Sequence, residues 1–502
     1  MIIFFSLFII SLPLIFAIFL SHHKNRSKSI APPGPSGLPF IGNLLQVART
    51  ATPHIYLFNL SQIYGPLMQL KFGPVPVLVV SSAKLAEEVM KTQDLAFCSR
   101  PKFRGQQRIS YNGIDIAFSP YDSYWREVRK IVVTHLLSQR KVQSFYPIRE
   151  DEISRMIKVI AGLSSSSSGR PVNLTEIAMT LTSNMIFRIS FSRRYEYGVR
   201  GAEIRRFDRL LQEAQALAAT PFVSDYFPAL GWVERVLGME KRLQKNFEEL
   251  DSFYQELIDD HLNPMREKQG EEEDILDILL NLKRENSCSI ELTWDHIKAL
   301  LMDIFIGGTD SSASSINWTM LALMKAPHVM KKVQAEIRDF IGTKGRVDED
   351  DLPNLPYLKA VVNETFRLYP SIPMLLPRET VEKCSLGGYD IQPKTTVYVN
   401  AWALGRDPDY WKNPLEFMPE RFLEGNLDIR GKHFGVIPFG SGRRICVGMF
   451  MGIANVELAV ANLLYTFNWE FPRGKENSFD VLPGLASHFK NGLLLVPKKW
   501  HT

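Results

Sequence analysis

Pro438–Gly448 reads Pro-Phe-Gly-Ser-Gly-Arg-Arg-Ile-Cys-Val-Gly. Gly440, Gly442 and Gly448 surround a single cysteine, Cys446. Glycine lets a backbone adopt positive φ and come close to a flat ligand. A lone cysteine in that frame suits a thiolate metal ligand stabilised by the metal and by nearby amide donors. Arg444 adds a cation able to pair with an acid group on such a ligand. Taken alone, the segment favours a structural buried cysteine.

Moving outward, Trp294–Met324 carries apolar residues at Ile297, Leu300, Leu301, Ile304, Phe305, Trp318 and Leu321. This three-to-four spacing predicts a long central buried helix. Within it stands Gly307-Gly308-Thr309-Asp310-Ser311-Ser312, with Gly307 and Ser311 one turn apart on one face. Glycine there leaves room, and an acid beside a hydroxyl suits proton transfer; a kinked, solvated helix end is the alternative. Glu364 and Arg367 are an i,i+3 pair, in isolation an ordinary helix salt bridge. Pro419-Glu420-Arg421-Phe422 follows downstream, and Trp125 and Arg129 share a helix face four residues apart.

The ordered set Phe439, Gly442, Arg444, Cys446, Gly448 matches the FxxGxRxCxG signature of the cytochromes P450 at every fixed position. The chain resembles that family along nearly all of its globular length. The resemblance implies a mainly α fold with small β-sheets and a haem b cofactor. It makes Cys446 the axial ligand of the haem iron, whose thiolate pushes electron density that favours O–O cleavage. By the same resemblance Trp125, Arg129, Arg378 and Arg444 bind the haem propionates and Phe439 belongs to the cofactor site; Pro377 stands where many relatives have His. Asp310 and Ser311 correspond to the acid–alcohol pair that relays protons to oxygen, with Ser in place of the usual Thr. Glu364, Arg367 and Arg421 correspond to a buried structural network behind the haem.

Family regions also suggest a substrate pocket. Its expected lining is Ile109, Ser110, Ile114 and Phe118 before the Trp125 helix, and Met302, Phe305, Ile306 and Gly307 on the central helix. Ile372, Leu375, Leu485 and Ala486 complete it. The lining is expected to be apolar, with no cation or carboxylate clearly facing it; Asp303 reads as a structural helix residue or a partner for a basic amine. The implied activity is a haem-thiolate monooxygenase that places one oxygen atom of O2 in a small hydrophobic substrate. No Gly-rich dinucleotide motif is evident, so electrons must come from elsewhere; the resemblance implies NADPH as their source, through NADPH–cytochrome P450 reductase on the same membrane. The motifs are similar to those of plant A-type members, the seventy-one clan, which act on alkaloids, terpenoids and phenylpropanoids. KTQDLAFCSRP and LPNLPYLKAV also resemble aldoxime-oxidising members. Two other classes stay open: a redox-neutral isomerase or dehydratase, and an inactive haem-binding membrane partner. Retention of Asp310, Ser311 and the haem motifs argues against both.

The whole chain agrees with this frame. It has 502 residues, 45% apolar, which excludes a disordered or collagenous protein. Lys plus Arg is 59 and Asp plus Glu 54, a net charge of +5 too mild to imply a nucleic-acid partner. Four cysteines without zinc-type spacing exclude a disulfide framework. Length alone suggests two or three domains, yet no second Pro/Ser-rich linker or repeat appears, so residues 38–502 read as one catalytic domain. Ser164–Ser168 and Glu271–Asp274 read as a surface loop and as a solvated loop or helix start. Short strands are expected at Leu67–Phe72, Val75–Val80, Thr395–Asn400 and Leu493–Val496, the first two forming a hairpin about Gly73–Pro74. Residues 1–20 lack charged side chains and match a bilayer span; Lys24, Arg26 and Lys28 follow, and residues 21–37 read as a basic, Pro-rich linker. The expectation is one anchor helix in the endoplasmic reticulum membrane, in contact with lipid, and a cytosolic catalytic domain.

Overall fold

The computed structural model describes residues 31–165, 170–194, 201–266, 273–425, 427–474, 480–482 and 484–500. The anchor expected at residues 1–20 and Ser166–Ser168 of the serine run lie outside them; Ser164 and Ser165 end the helix Tyr146–Ser165. Glu271 also lies outside, while Asp274 caps the helix Ile275–Glu285 by accepting from the Asp277 N–H.

The central helix runs from Trp294 to Lys325, one residue beyond the expected end. Thr293 opens it, its hydroxyl accepting from the His296 N–H, and Pro327 starts the next helix, so the chain cannot simply continue. Its most extensive neighbour is Leu174–Phe191. Gly308 sits at that crossing: a Cβ there would lie 2.7 Å from Ile186 Cδ1, so the small residue permits the approach. Beyond it, Ile316, Leu321, Val361 and Leu458 join one core that also receives the helices Pro356–Leu368 and Met449–Thr466. Met449–Thr466 is apolar and long enough to cross a membrane but is largely buried in this core.

Most of the sheet structure is short. Leu67–Phe72 and Val75–Val80 form the expected hairpin, with Gly73 at φ +60 in the turn. Thr396–Val399 adds parallel to Val75–Val80, and Arg378–Glu379 adds antiparallel beyond it. A second sheet pairs Leu494–Lys499 with Val172–Asn173 on one side and Phe467–Glu470 on the other. Two small ribbons remain, Cys384–Leu386 with Tyr389–Ile391 and Val481–Leu482 with His488–Phe489. The observed strand ends differ from the expected ones at Thr396–Val399 and Leu494–Lys499, because pairing rather than composition sets where a ladder stops.

Candidate active site

The cysteine loop is built as a tight crossing of chains. Gly442 has φ +70, and a Cβ on it would lie 2.1 Å from the Met90 carbonyl oxygen, so only glycine fits. The Cys446 N–H donates to the Phe439 carbonyl at 2.9 Å, closing the loop. Phe439 packs edge-on to Phe366, with ring centroids 5.4 Å apart. Of the four cysteines only Cys446 is exposed. That exposure is internal: protein surrounds the thiol, and burial pushes its pKa up, while the Gly448 N–H and the Arg129 guanidinium pull it down. Gly307 faces open space, with nothing within 4 Å of where its Cβ would stand.

Around the loop lies a cluster of buried cations. Asp122 caps the helix Ser123–Ile131 through the Trp125 N–H, which fixes Trp125 and Arg129 on one face. Trp125 Nε1 donates to the Ile116 carbonyl at 3.0 Å, and Arg129 Nη2 donates to the Ile445 carbonyl at 2.7 Å. Arg444 stacks 4.0 Å over the Trp125 ring and donates to the carbonyls of Cys98, Ile116 and Ser119. Arg378 donates to the Asp94 carboxylate and to the Ser441 carbonyl, both at 3.0 Å. Arg100, which sequence reading missed, is fully enclosed and donates to the carbonyls of Ala117, Leu376 and Pro377. Burial, then the neighbouring guanidiniums of Arg444 and Arg378, hold Arg100 well below its ordinary pKa. Burial first brings Arg444 down to about 9, with Arg378 and Arg129 adding to the effect. Buried charges of one sign are costly unless paired. This excess of guanidinium over carboxylate, beside one accessible thiol and an open glycine, fits a flat dicarboxylate cofactor with a metal centre, as haem is.

Behind the loop, Arg367 and Glu364 form a two-pronged pair, Nε to Oε2 and Nη2 to Oε1, both 2.7 Å, with both side chains fully buried. Glu364 Oε1 also accepts from Arg421 Nε at 3.1 Å and from the Met418 N–H at 2.8 Å. Arg367 spends its remaining donors on the carbonyls of Gly405, Pro414 and Glu416. Every polar atom finds a partner, the condition under which a buried pair holds its place.

One face of the central helix, residues 302, 303, 306, 307, 310 and 311, forms a wall of a cavity. Ile109, Ser110, Phe118, Ile372, Leu485 and Ala486 line it as expected on sequence. Three expected residues do not. Phe305 is on the opposite helix face, stacked in an aromatic cluster with Phe187, Phe191, Phe207 and Tyr254. Ile114 turns toward Tyr111, Phe247 and Ala299. Leu375 sits at φ +50 in a turn closed by its N–H on the Ile372 carbonyl, and this turn sends Leu376 into the cavity instead. Ala117 and Gln215 also line it without having been anticipated.

The expectation that no carboxylate faces the cavity is corrected: Asp115, Asp303 and Asp310 all do. Asp303 Oδ2 accepts from the Ile116 N–H at 2.7 Å, and both Asp115 oxygens accept from the Phe118 N–H at 3.1 Å. Burial, then mutual repulsion, raises the Asp303 carboxyl well above its ordinary range; burial likewise raises that of Asp115. Ser311 lines the cavity, and its Oγ donates to the Gly307 carbonyl at 2.6 Å, which leaves the hydroxyl free to accept. The Asp310 carboxylate meets His488, a residue that no motif had singled out.

The model of the family described as Cytochrome P450 matches residues 32–496. The chain is 48% identical over 507 residues to 6,7,8-trihydroxycoumarin synthase of Pastinaca sativa, covering 99% of each. It is 48% identical over 505 residues to 5-OH-xanthotoxin synthase of Ammi majus, covering 98% of each. It is also 43% identical over 508 residues to Cytochrome P450 71B36 of Arabidopsis thaliana, covering 99% of each. Among solved structures, a zebra fish cytochrome P450 with abiraterone aligns with TM-score 0.74 and 26% identity, covering 90% of this chain and 100% of that one.

Proposed function

The chain belongs to the cytochrome P450 family, in its plant seventy-one clan, and from that premise we propose that it hydroxylates a small phenylpropanoid-derived aromatic of the coumarin type. It is a haem-dependent monooxygenase that uses O2 and electrons delivered from NADPH through a reductase. The observation that carries the substrate class is the near-complete alignment with coumarin and furanocoumarin synthases at 48% identity. The cavity agrees with it in chemistry: it is walled mainly by aliphatic side chains and Phe118, with a few polar groups able to orient ring oxygens.

Cys446, with Arg129, Arg378, Arg444, Trp125 and Phe439, would hold haem, which would supply the activation of O2 when bound. Ile109, Phe118, Met302, Ile306, Ile372, Leu485 and Ala486 exclude water and hold the aromatic substrate beside Gly307. Asp310 delivers protons to the cavity and Ser311 orients them, its hydroxyl fixed by the Gly307 carbonyl. Glu364, Arg367 and Arg421 hold the loop that carries Cys446. Residues 1–20 anchor the enzyme in the endoplasmic reticulum membrane, beside its reductase, with residues 38–502 in the cytosol.

The test is a spectral-shift screen of the ferric protein with coumarins, furanocoumarins, monoterpenes, alkaloids and aldoximes. Micromolar shifts with coumarins, and hydroxylated product with NADPH and reductase, are expected. A shift confined to another class overturns the substrate assignment. Product formed without NADPH consumption points instead to redox-neutral chemistry.

A further inference from the structure

Asp310, Ser314 and Trp318 stand four residues apart on one stripe of the central helix. All three meet the loop that carries His488. Ser314 Oγ donates to the Ser487 carbonyl at 2.7 Å, and Trp318 Nε1 donates to the same oxygen at 3.2 Å. The Ser487 N–H donates in turn to the Ser371 carbonyl at 2.9 Å. The next residue, His488, is paired in its ribbon opposite Leu482. Three hydrogen bonds and a strand pairing therefore aim one imidazole, and its Nε2 lies 2.5 Å from Asp310 Oδ1. The Asp310 side chain is 6% exposed and that of His488 19%, so the imidazole is the more solvent-accessible member of the pair.

We propose that His488 is a positioning residue for proton delivery, holding the Asp310 carboxylate and returning to it each proton that it gives to the cavity. This rests on Asp310 being the acid of the oxygen-activation site. The transfer is balanced. Asp310 as the acid loses one proton to the reaction; the imidazolium Nε2–H gives one to the resulting carboxylate; the neutral imidazole, left with its hydrogen on Nδ1, turns about its Cβ–Cγ bond so that the vacated Nε2 takes one from water, and turns back. One proton thus passes from solvent to cavity per cycle, without any redox change in the pair.

The charges around His488 agree with this. Burial disfavours its protonated form, but the Asp310 carboxylate outweighs it, and the net shift is upward. Asp303 and Asp115, the other acids on the cavity, are engaged with the Ile116 and Phe118 N–H groups. The flanking Asp480 and Lys490 of the ribbon are exposed, and no Lys or Arg lines the cavity among the described residues. His488 is thus the cation that faces Asp310.

The experiment uses full-length haem-loaded enzyme with reductase, comparing native protein, His488→Gln and Asp310→Asn. The readouts are product per NADPH between pH 6 and 9 and the histidine titration by NMR in the diamagnetic ferrous carbon monoxide form. His488→Gln keeps a donor of similar reach but cannot titrate. Native coupling is expected to fall as pH rises through the His488 pKa. His488→Gln is expected to give a flat profile, lowered roughly threefold or more, below the 10²–10⁴ of a fully positioned proton transfer because water substitutes in part. The His488 resonance is expected to titrate above the ordinary value of about 6.5 and to return toward it in Asp310→Asn. Native coupling and pH profile in His488→Gln, with Asp310→Asn uncoupled, overturn the His488 role alone. Native coupling in both variants overturns the Asp310 reading itself. If His488→Gln does not load haem, an unshifted His488 titration in the native protein, or one unchanged in Asp310→Asn, overturns the proposal.

Discussion

Cys446 owes its chemistry to a contest between burial, which favours the neutral thiol, and the Gly448 N–H with the Arg129 cation, which favour the thiolate. A metal centre adds far more to the thiolate side than either. Cys446→Ala is therefore expected to abolish the thiolate-type spectrum of the reduced carbon monoxide complex, and a surviving band would mean another ligand. Ser311 differs in kind. Its hydroxyl donates to the Gly307 carbonyl, so Ser311→Ala is expected to load haem normally while yielding less product per NADPH. Ser311→Thr, which keeps the bond and stiffens χ1, is expected to couple at least as well as native enzyme; equal coupling of all three would remove Ser311 from the relay. At this scale sequence spacing was informative wherever a motif has several fixed positions, as at Phe439–Gly448. It was silent for His488 and Arg100, whose roles depend on groups far away in sequence, Asp310 for the first and the Leu376 and Pro377 carbonyls for the second. It erred between Leu375 and Leu376, because one positive-φ turn residue decides which of two neighbouring leucines faces inward.

The central helix shows what periodicity conveys and what it leaves out. Its span and buried character follow from apolar spacing, and the structure extends it by a single residue. Which side faces the cavity does not follow, since nearly every apolar position is buried; Phe305 packs into aromatic rings while Ile306 turns to the cavity. The same helix carries Asp303, which ties the segment before Trp125 down through the Ile116 N–H. An asparagine oxygen can accept that bond, and the substitution removes one of two repelling buried carboxyls. Because folding raises the pKa of both groups, the native fold holds protons more tightly than the unfolded chain, and this pair costs stability as pH rises above about 4. Asp303→Asn is thus expected to melt like native protein at pH 4 and to be the more stable of the two at pH 8. Calorimetry across that range decides it; a variant weaker than native at pH 8 would make the charge of Asp303 itself the stabilising feature. The short strands were legible where a Gly–Pro turn separates two apolar runs, and blurred at their ends where only a distant partner fixes the register.

For the whole molecule, membrane topology is the property open to the simplest test. Asn59, Asn173, Asn317 and Asn363 begin formal glycosylation sequons. With residues 38–502 in the cytosol none is expected to carry sugar, and a glycosidase-sensitive mass shift in microsomes would reverse the orientation. Removing residues 1–20 is expected to release much of the protein from membranes, as fractionation would show. Retention of part of it is compatible with exposed Leu38, Phe40 and Ile63 near the start of the globular part. Some strands find their partners only across long stretches of chain. Val75–Val80 has as its inner neighbour Thr396–Val399. From 80 to 396 is a wait of 316 residues, which at synthesis rates of about 5–20 residues per second is roughly 16–63 s on the ribosome. For that time a nascent apolar hairpin, Val-Pro-Val-Leu-Val-Val on its inner strand, has an unsatisfied edge. The yield of this enzyme in a foreign host is therefore set in part by translation speed and by the supply of chaperones that cover that edge until residue 399 has emerged.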